Sequence, residues 1–223
     1  MTIDALIFDF DGLLMDTETT LLESWRHEWW QHGLELAEEG FFADHGGDVN
    51  EERYAALAAA VGTGYDRAAS HARRTAYRLT LNQKLEPAPG IREWFEEAAE
   101  LGLRLAVASS SHEDHVRGLL ERAGLAAAID VMACGNEVAA HKPDPAVYLL
   151  ALSRLGTARA VAFEDTPHGV AAAQAAGLPC VAIPNPYLSP SRFPAADMLL
   201  PSAAVAGLSE VLSGLRGRTT PRP

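Results

Sequence analysis

The chain has 223 residues, 48% apolar and 22% charged, a globular composition long enough to build a hydrophobic core without disulfide or metal staples. Its 30 Asp and Glu against 18 Lys and Arg leave a net charge of −12. That balance excludes general binding to nucleic-acid backbones, though not a small anionic substrate beside a bound cation. Two cysteines, Cys134 and Cys180, are too few for a disulfide framework and read as buried thiols in a reducing compartment. Asp4, Asp9 and Asp11 sit where a secretory signal would be basic and apolar. No apolar run reaches the roughly 18 residues of a membrane span. A cytoplasmic protein that engages neither membrane nor nucleic acid is therefore expected; no pattern specifies an oligomeric state.

In chain order, residues 3–8 form a short apolar run ending in acids, read as a buried strand. From 17 to 86 the text is helical. Trp25 and Trp29 share a helix face with Leu21 and Leu22 one turn earlier. Tyr54, Leu57, Ala58 and Val61 make a second apolar stripe, and Ala69, Ala72, Ala76 and Leu79 a third. Pro87-Ala88-Pro89-Gly90 ends this block. Beyond it, strands predicted at 103–109, 129–133, 159–163, 180–183 and 197–200 alternate with helices at 91–101, 113–123, 144–155, 168–176 and 203–214. Apolar strands separated by helices imply βαβ units and a parallel, doubly wound, Rossmann-like α/β sheet. The polar, proline-punctuated end from Arg216 reads as frayed. Residues 1–16 and 87–223 would then form an α/β core, and 17–86 an inserted all-helical domain, since so long a connection must be structured. Because ligands collect at the carboxyl ends of such strands, an insertion leaving from that end of the first strand is placed to act as a lid. Its hinges fall near 15–17 and 86–89.

The strand ends carry the chemistry. The first ends Asp9-Phe10-Asp11-Gly12, the second Ser109-Ser110-Ser111, and the fourth Glu164-Asp165; Lys142-Pro143-Asp144-Pro145 follows the third. Carboxylates converging on one rim repel unless they hold a hard divalent cation, and all-oxygen ligands select Mg²⁺. A lysine and a hydroxyl at the same rim suit the oxygens of a phosphoryl group. Asp9 is placed to attack phosphorus. Asp11 is placed to protonate the leaving oxygen and later to take a proton from water. Gly12 permits a sharp turn after them. Taken singly each residue has a plainer role: strand-end acid, helix-terminal acid pair, solvated lysine, or, for Asp144, helix cap. The agreement of four strand ends argues against those readings.

These motifs resemble the haloacid dehalogenase-like superfamily of phosphotransferases. The matches are Asp9-Phe10-Asp11-Gly12-Leu13-Leu14 with Asp16-Thr17-Glu18, then Ser109, Lys142-Pro143-Asp144-Pro145, and Phe163-Glu164-Asp165-Thr166 with Gly169. All four family motifs are present in order, and the insertion looks like the helical cap of the β-phosphoglucomutase-like branch. The resemblance implies that Asp9 forms an aspartyl-phosphate, that Asp11 is the general acid/base, and that Ser109 and Lys142 bind the transferring phosphoryl group. It also implies Mg²⁺ held by the Asp9 carboxylate, the Asp11 backbone carbonyl and Asp165, with Glu164 beside it or through water. Gly12 and Ser110 are further expected to border the phosphate. In the insertion Arg73, Arg74 and the turn at 43–48 are candidate specificity elements, because a cap over an anionic site gains from cations. His112 and His115 read as surface residues.

The expected activity is Mg²⁺-dependent hydrolysis of a small phosphorylated metabolite, of the sugar-phosphate class. Asp11 favours phosphate esters over carbon–halogen bonds, because the family's dehalogenases lack that second aspartate. The alternative is a β-phosphoglucomutase-type mutase. In the family's mutases a histidine shortly after the first motif assists, and Leu21 stands in that place here, which favours hydrolysis. A receiver-like phosphoacceptor is disfavoured by the long insertion and the second aspartate, and a non-catalytic binding protein by the complete set of acids.

Overall fold

The structure is a computed structural model that describes residues 2–42 and 50–216. The expected specificity turn at 43–48 and the tail beyond Arg216 lie outside the described residues. The chain forms two compact units, Thr17–Leu85 and the remainder.

The larger unit is a six-stranded, wholly parallel sheet. Its strands are β1 (Ala5–Phe8), β2 (Arg104–Ala108), β3 (Val131–Ala133), β4 (Ala160–Glu164), β5 (Cys180–Ala182) and β6 (Met198–Leu199), in the spatial order β3-β2-β1-β4-β5-β6. The chain winds outward from β1 to β3, then returns to the other side of β1 for β4 to β6. The reversal puts the topological switch beside the central strand, where such sheets bind ligands. Every residue of β1 and β4 is buried, as both faces of a covered parallel sheet require. Phe8 stacks on Phe163 at 4.7 Å between ring centroids, and Trp94 lies 5.1 Å from Phe163. On the helix α4 (Ile91–Glu100), Trp94 donates its indole N–H to the Ala206 carbonyl at 2.9 Å. Cys134 and Cys180 are buried free thiols; burial pushes Cys134 up to about 11, so it is an inert core residue.

Two sequence expectations change at the level of packing. The helix predicted at 203–214 is a 3₁₀ turn (Ala203–Val205) followed by an α-helix (Leu208–Arg216). The break is sealed by Glu97, whose carboxylate accepts from the backbone N–H of Leu208 (2.6 Å) and Ser209 (2.9 Å). A carboxylate from a neighbouring helix thus caps the second segment.

The smaller unit contains α1 (Thr17–Gln31), α2 (Asn50–Val61) and α3 (Arg67–Asn82). Trp25, Tyr54 and Leu57 are fully buried, with Trp25 and Tyr54 rings 4.5 Å apart. The stripe expected on α3 is reversed: Leu79 is 56% exposed, while Ser70, Arg74 and Asn82 are buried. The reason is Arg74. Its Nε donates to the Tyr54 hydroxyl at 2.7 Å, Nη1 reaches the Ser24 hydroxyl at 3.3 Å, and the guanidinium lies over the Trp25 ring at 4.6 Å. Aromatic faces and hydroxyls make a polar residue a better core partner than the alanine face. Among the described residues, no helix is long and apolar enough to cross a membrane.

Candidate active site

Strand register assembles the site. Phe8 pairs with Val107 on one side and Phe163 on the other, so Asp9 emerges level with Ala108 and Glu164. The Asp9 backbone N–H extends the ladder by one rung, donating to the Phe163 carbonyl at 2.9 Å. Ser109 follows β2 and donates its N–H to the Ala133 carbonyl at 3.0 Å. After Asp11 the chain turns at Gly12, whose φ of 83° is the left-handed region open to glycine. Gly12 N–H then bonds the Met15 carbonyl at 2.8 Å. The two connections to the helical unit run side by side, with an antiparallel bridge between Met15 and Pro87.

Asp9, Lys142, Glu164 and Asp165 are all buried. The Lys142 ammonium spends its three protons on the Asp9 carboxylate, on Glu164 Oε1 at 2.7 Å and on the Ala108 carbonyl at 2.8 Å. Burial alone would lower the lysine, but Asp9 and Glu164 outweigh it and hold the ammonium above its ordinary range. Glu164 Oε1 also accepts from the Tyr148 hydroxyl, and Oε2 lies 3.2 Å from the Asp165 N–H. This carboxylate rests on Gly169: a Cβ there would sit 1.9 Å from Glu164 Oε2, so only glycine leaves it room. Asp165 Oδ2 accepts from the Asn185 amide at 2.8 Å. The helix that follows, α7 (Pro167–Ala175), is capped by Thr166, whose hydroxyl accepts from the Gly169 N–H at 3.1 Å. Asp144 does serve its helix, accepting from the Ala146 N–H at 2.9 Å.

Asp11 meets the β2 loop from the other side. Ser111 donates its hydroxyl to Asp11 Oδ2 at 2.6 Å, the Ser109 hydroxyl lies 3.4 Å from the same atom, and His115 Nε2 is 3.2 Å from Oδ1. Ser110 is exposed, with its carbonyl packed so closely on Gly135 that a Cβ there would meet the oxygen at 2.0 Å. Arg73 and Arg74 lie in the helical unit. Arg73 pairs with buried Glu28 at 2.6 Å, and Arg74 belongs to that unit's core as described above.

One carboxylate oxygen each of Asp9, Glu164 and Asp165 lie within 4.8 Å of one another. Burial, aided by Glu164 and Asp11 and opposed by Lys142, pushes the Asp9 carboxyl well up. Among the described residues, three buried carboxylates thus face a single buried ammonium. A hard divalent cation matches both the charge deficit and the all-oxygen donor set, so the residues fit Mg²⁺.

Sequence reasoning missed three contributors. Tyr148 stands one helical turn after Pro145, a spacing that turns it toward the same side. Asn185 closes the loop after β5 and obeys the strand-end rule already applied to the other strands. His115 carried no signal beyond its nearness to Ser111.

The family profile of haloacid dehalogenase-like hydrolases matches residues 6–183. The chain is 32% identical over 219 residues to YhcW of Bacillus subtilis, covering 97% of this chain and 99% of that protein. It is 33% identical over 179 residues to the phosphorylated carbohydrates phosphatase of Thermotoga maritima, covering 78% and 82% respectively. The crystal structure of a point mutant of CbbY from Rhodobacter sphaeroides in complex with xylulose-(1,5)-bisphosphate superimposes with a TM-score of 0.76 at 31% identity, over 96% of this chain and 99% of that one. On motif set, sheet order and relatives together, the chain belongs to the haloacid dehalogenase-like hydrolase family.

Proposed function

We propose that the protein is a Mg²⁺-dependent phosphatase of a small phosphorylated metabolite, of the sugar-phosphate class, working through an aspartyl-phosphate on Asp9. The observation that carries the reading is the meeting of Asp9, Glu164, Asp165 and Lys142, from separate stretches of chain, in one buried cluster. Relatives named for phosphorylated carbohydrates and for a xylulose bisphosphate complex support the substrate class.

Asp9 attacks phosphorus: a P–O bond to its carboxylate forms as the ester P–O bond breaks, and Asp11 delivers its proton to the departing oxygen. Asp11, now a carboxylate, takes a proton from water as that water attacks phosphorus and releases Asp9. Lys142, turning one N–H from its present acceptors toward the substrate, and the Ser109 hydroxyl hold the phosphoryl oxygens; Lys142 stays an ammonium throughout because two carboxylates favour that form. The Asp9 carboxylate, the Asp11 backbone carbonyl and Asp165 would hold Mg²⁺, with Glu164 beside them; the ion would supply positive charge against the phosphoryl oxygens. Gly12 and Ser110 border the phosphate. Thr17–Leu85 is the proposed cap, with Arg73 as its proposed specificity cation; Arg74, buried against Trp25, Tyr54 and Ser24, serves that unit's core instead.

A phosphate-release screen over phosphorylated metabolites, with Mg²⁺ or with chelator, tests this. Glucose 1-phosphate isomerisation is followed in parallel, since its appearance identifies a mutase. Release that requires Mg²⁺ and disappears in Asp9→Asn supports the reading, because an amide is a poor nucleophile. Full activity in Asp9→Asn ends it.

A further inference from the structure

We propose that His115 is a positioning residue for Asp11, fixing the orientation in which that carboxylate exchanges its proton with the leaving oxygen. The inference rests on the acid/base role given to Asp11 above. His115 lies on the first turn of α5 (Glu113–Arg122), 104 residues away in the chain, yet its Nε2 is 3.2 Å from Asp11 Oδ1. With the ring proton on Nε2, His115 donates a hydrogen bond that Asp11 accepts in its carboxylate and in its carboxylic-acid form alike.

The arrangement is specific in three respects. Ser111 holds Oδ2 at 2.6 Å while His115 holds Oδ1. Two donors on two oxygens set the plane of the carboxylate, which a single donor leaves free to rotate about Cβ–Cγ, a broad torsion. The imidazole is itself oriented: it meets the Phe10 ring edge-on, at 6.0 Å and 89°, and Phe10 is completely buried between the two aspartates. Finally, the His115 and Asp11 side chains remain 29% and 22% exposed, so a substrate can reach the carboxylate without displacing the histidine. Misplacing a proton-transfer group by about 1 Å costs up to 10²-fold in rate, which is the scale on which such a brace acts.

The test compares kcat/KM, which reports the step forming the phosphoenzyme, for p-nitrophenyl phosphate and phenyl phosphate with Mg²⁺. The two esters are alike in shape, but phenolate is the more basic leaving group and depends more on protonation by Asp11. His115→Ala is expected to lower kcat/KM for phenyl phosphate about tenfold and for p-nitrophenyl phosphate less than about twofold. His115→Gln, which keeps a donor, recovers part of the loss, while His115→Phe, which keeps only the ring against Phe10, does not. Equal falls for both esters, unchanged activity, a gain in activity, or full recovery by His115→Phe each overturn the positioning role. Wild-type turnover that survives Asp9→Asn, or no turnover at all, overturns the phosphatase reading and this inference with it. Turnover abolished in Asp9→Asn with an unshifted ester ratio in His115→Ala overturns this inference alone.

Discussion

Replacing Lys142 with methionine removes the ammonium that sits among the buried carboxylates at the carboxyl edge of the sheet while nearly preserving volume. The lysine is 7% exposed and bonds Asp9, Glu164 and the Ala108 carbonyl. Taking away one partner of a buried ion pair leaves the other charge uncompensated and costs about 3–5 kcal/mol. For a chain of this size each kcal/mol moves the melting temperature by roughly 2–4 °C, so Lys142→Met should melt roughly 6–20 °C below wild type in chelator. A divalent cation neutralises the same carboxylates, so excess Mg²⁺ should recover part of that difference. It should not recover turnover, because losing one preorganised donor to the reacting oxygens costs about 10²–10³ in kcat. Thermal unfolding followed by circular dichroism, with chelator or Mg²⁺, is the assay. A melting temperature within about 2 °C of wild type in chelator would show that the ammonium is not the counter-charge of these acids, and the electrostatic account of the site would fall.

Three other outcomes follow from the same cluster. Without metal the Asp9 carboxyl is raised above its unfolded value near 4. Its contribution to stability is therefore present below that value and is lost as pH rises through the folded one. In chelator, the stability difference between wild type and Asp9→Asn should shift against wild type from pH 4 upward, and Mg²⁺ should remove the trend; a flat difference contradicts it. Gly169→Ala forces a methyl group against Glu164 and should destabilise by about 1–3 kcal/mol, read by urea unfolding; neutrality would mean that Glu164 is free to move aside. Asn185→Ala releases Asp165 Oδ2 and should weaken Mg²⁺ binding about 10-fold to 100-fold, measured by titration calorimetry on the metal-free protein. An unchanged affinity would remove Asn185 from the site.

The residues legible in the sequence are those at the ends of apolar runs. Asp9, Ser109, Glu164 and Asp165 stand where a continuous buried strand gives way to polar text, and a parallel sheet delivers all such ends to one edge. Asn185 obeyed the same rule more loosely: its strand was legible, but the residue stands three positions beyond the strand's last residue, past Ile183 and Pro184. Tyr148 lies unmarked in the apolar text of the helix predicted at 144–155, and it is buried core as well as a hydrogen-bond donor to Glu164. On α3 the alanine stripe misled because periodicity counts apolar side chains, whereas Arg74 is buried through hydroxyls and aromatic faces supplied by α1 and α2.

What the amino-acid order determined by itself is the alternation of apolar strand and helix, the long helical insertion after the first strand, and the identity of the acids, hydroxyl and lysine available for chemistry. These are local properties, written in periodicity and in breaks of periodicity. Only the folded chain decided which oxygen of each acid meets which donor: Lys142 between Asp9 and Glu164, Asn185 on Asp165, His115 and Ser111 on the two oxygens of Asp11. Those pairings join residues 20 to 133 positions apart. They depend on strand register and side-chain rotamer, which are set by the packing of the whole sheet and leave no trace in the pattern of any one segment.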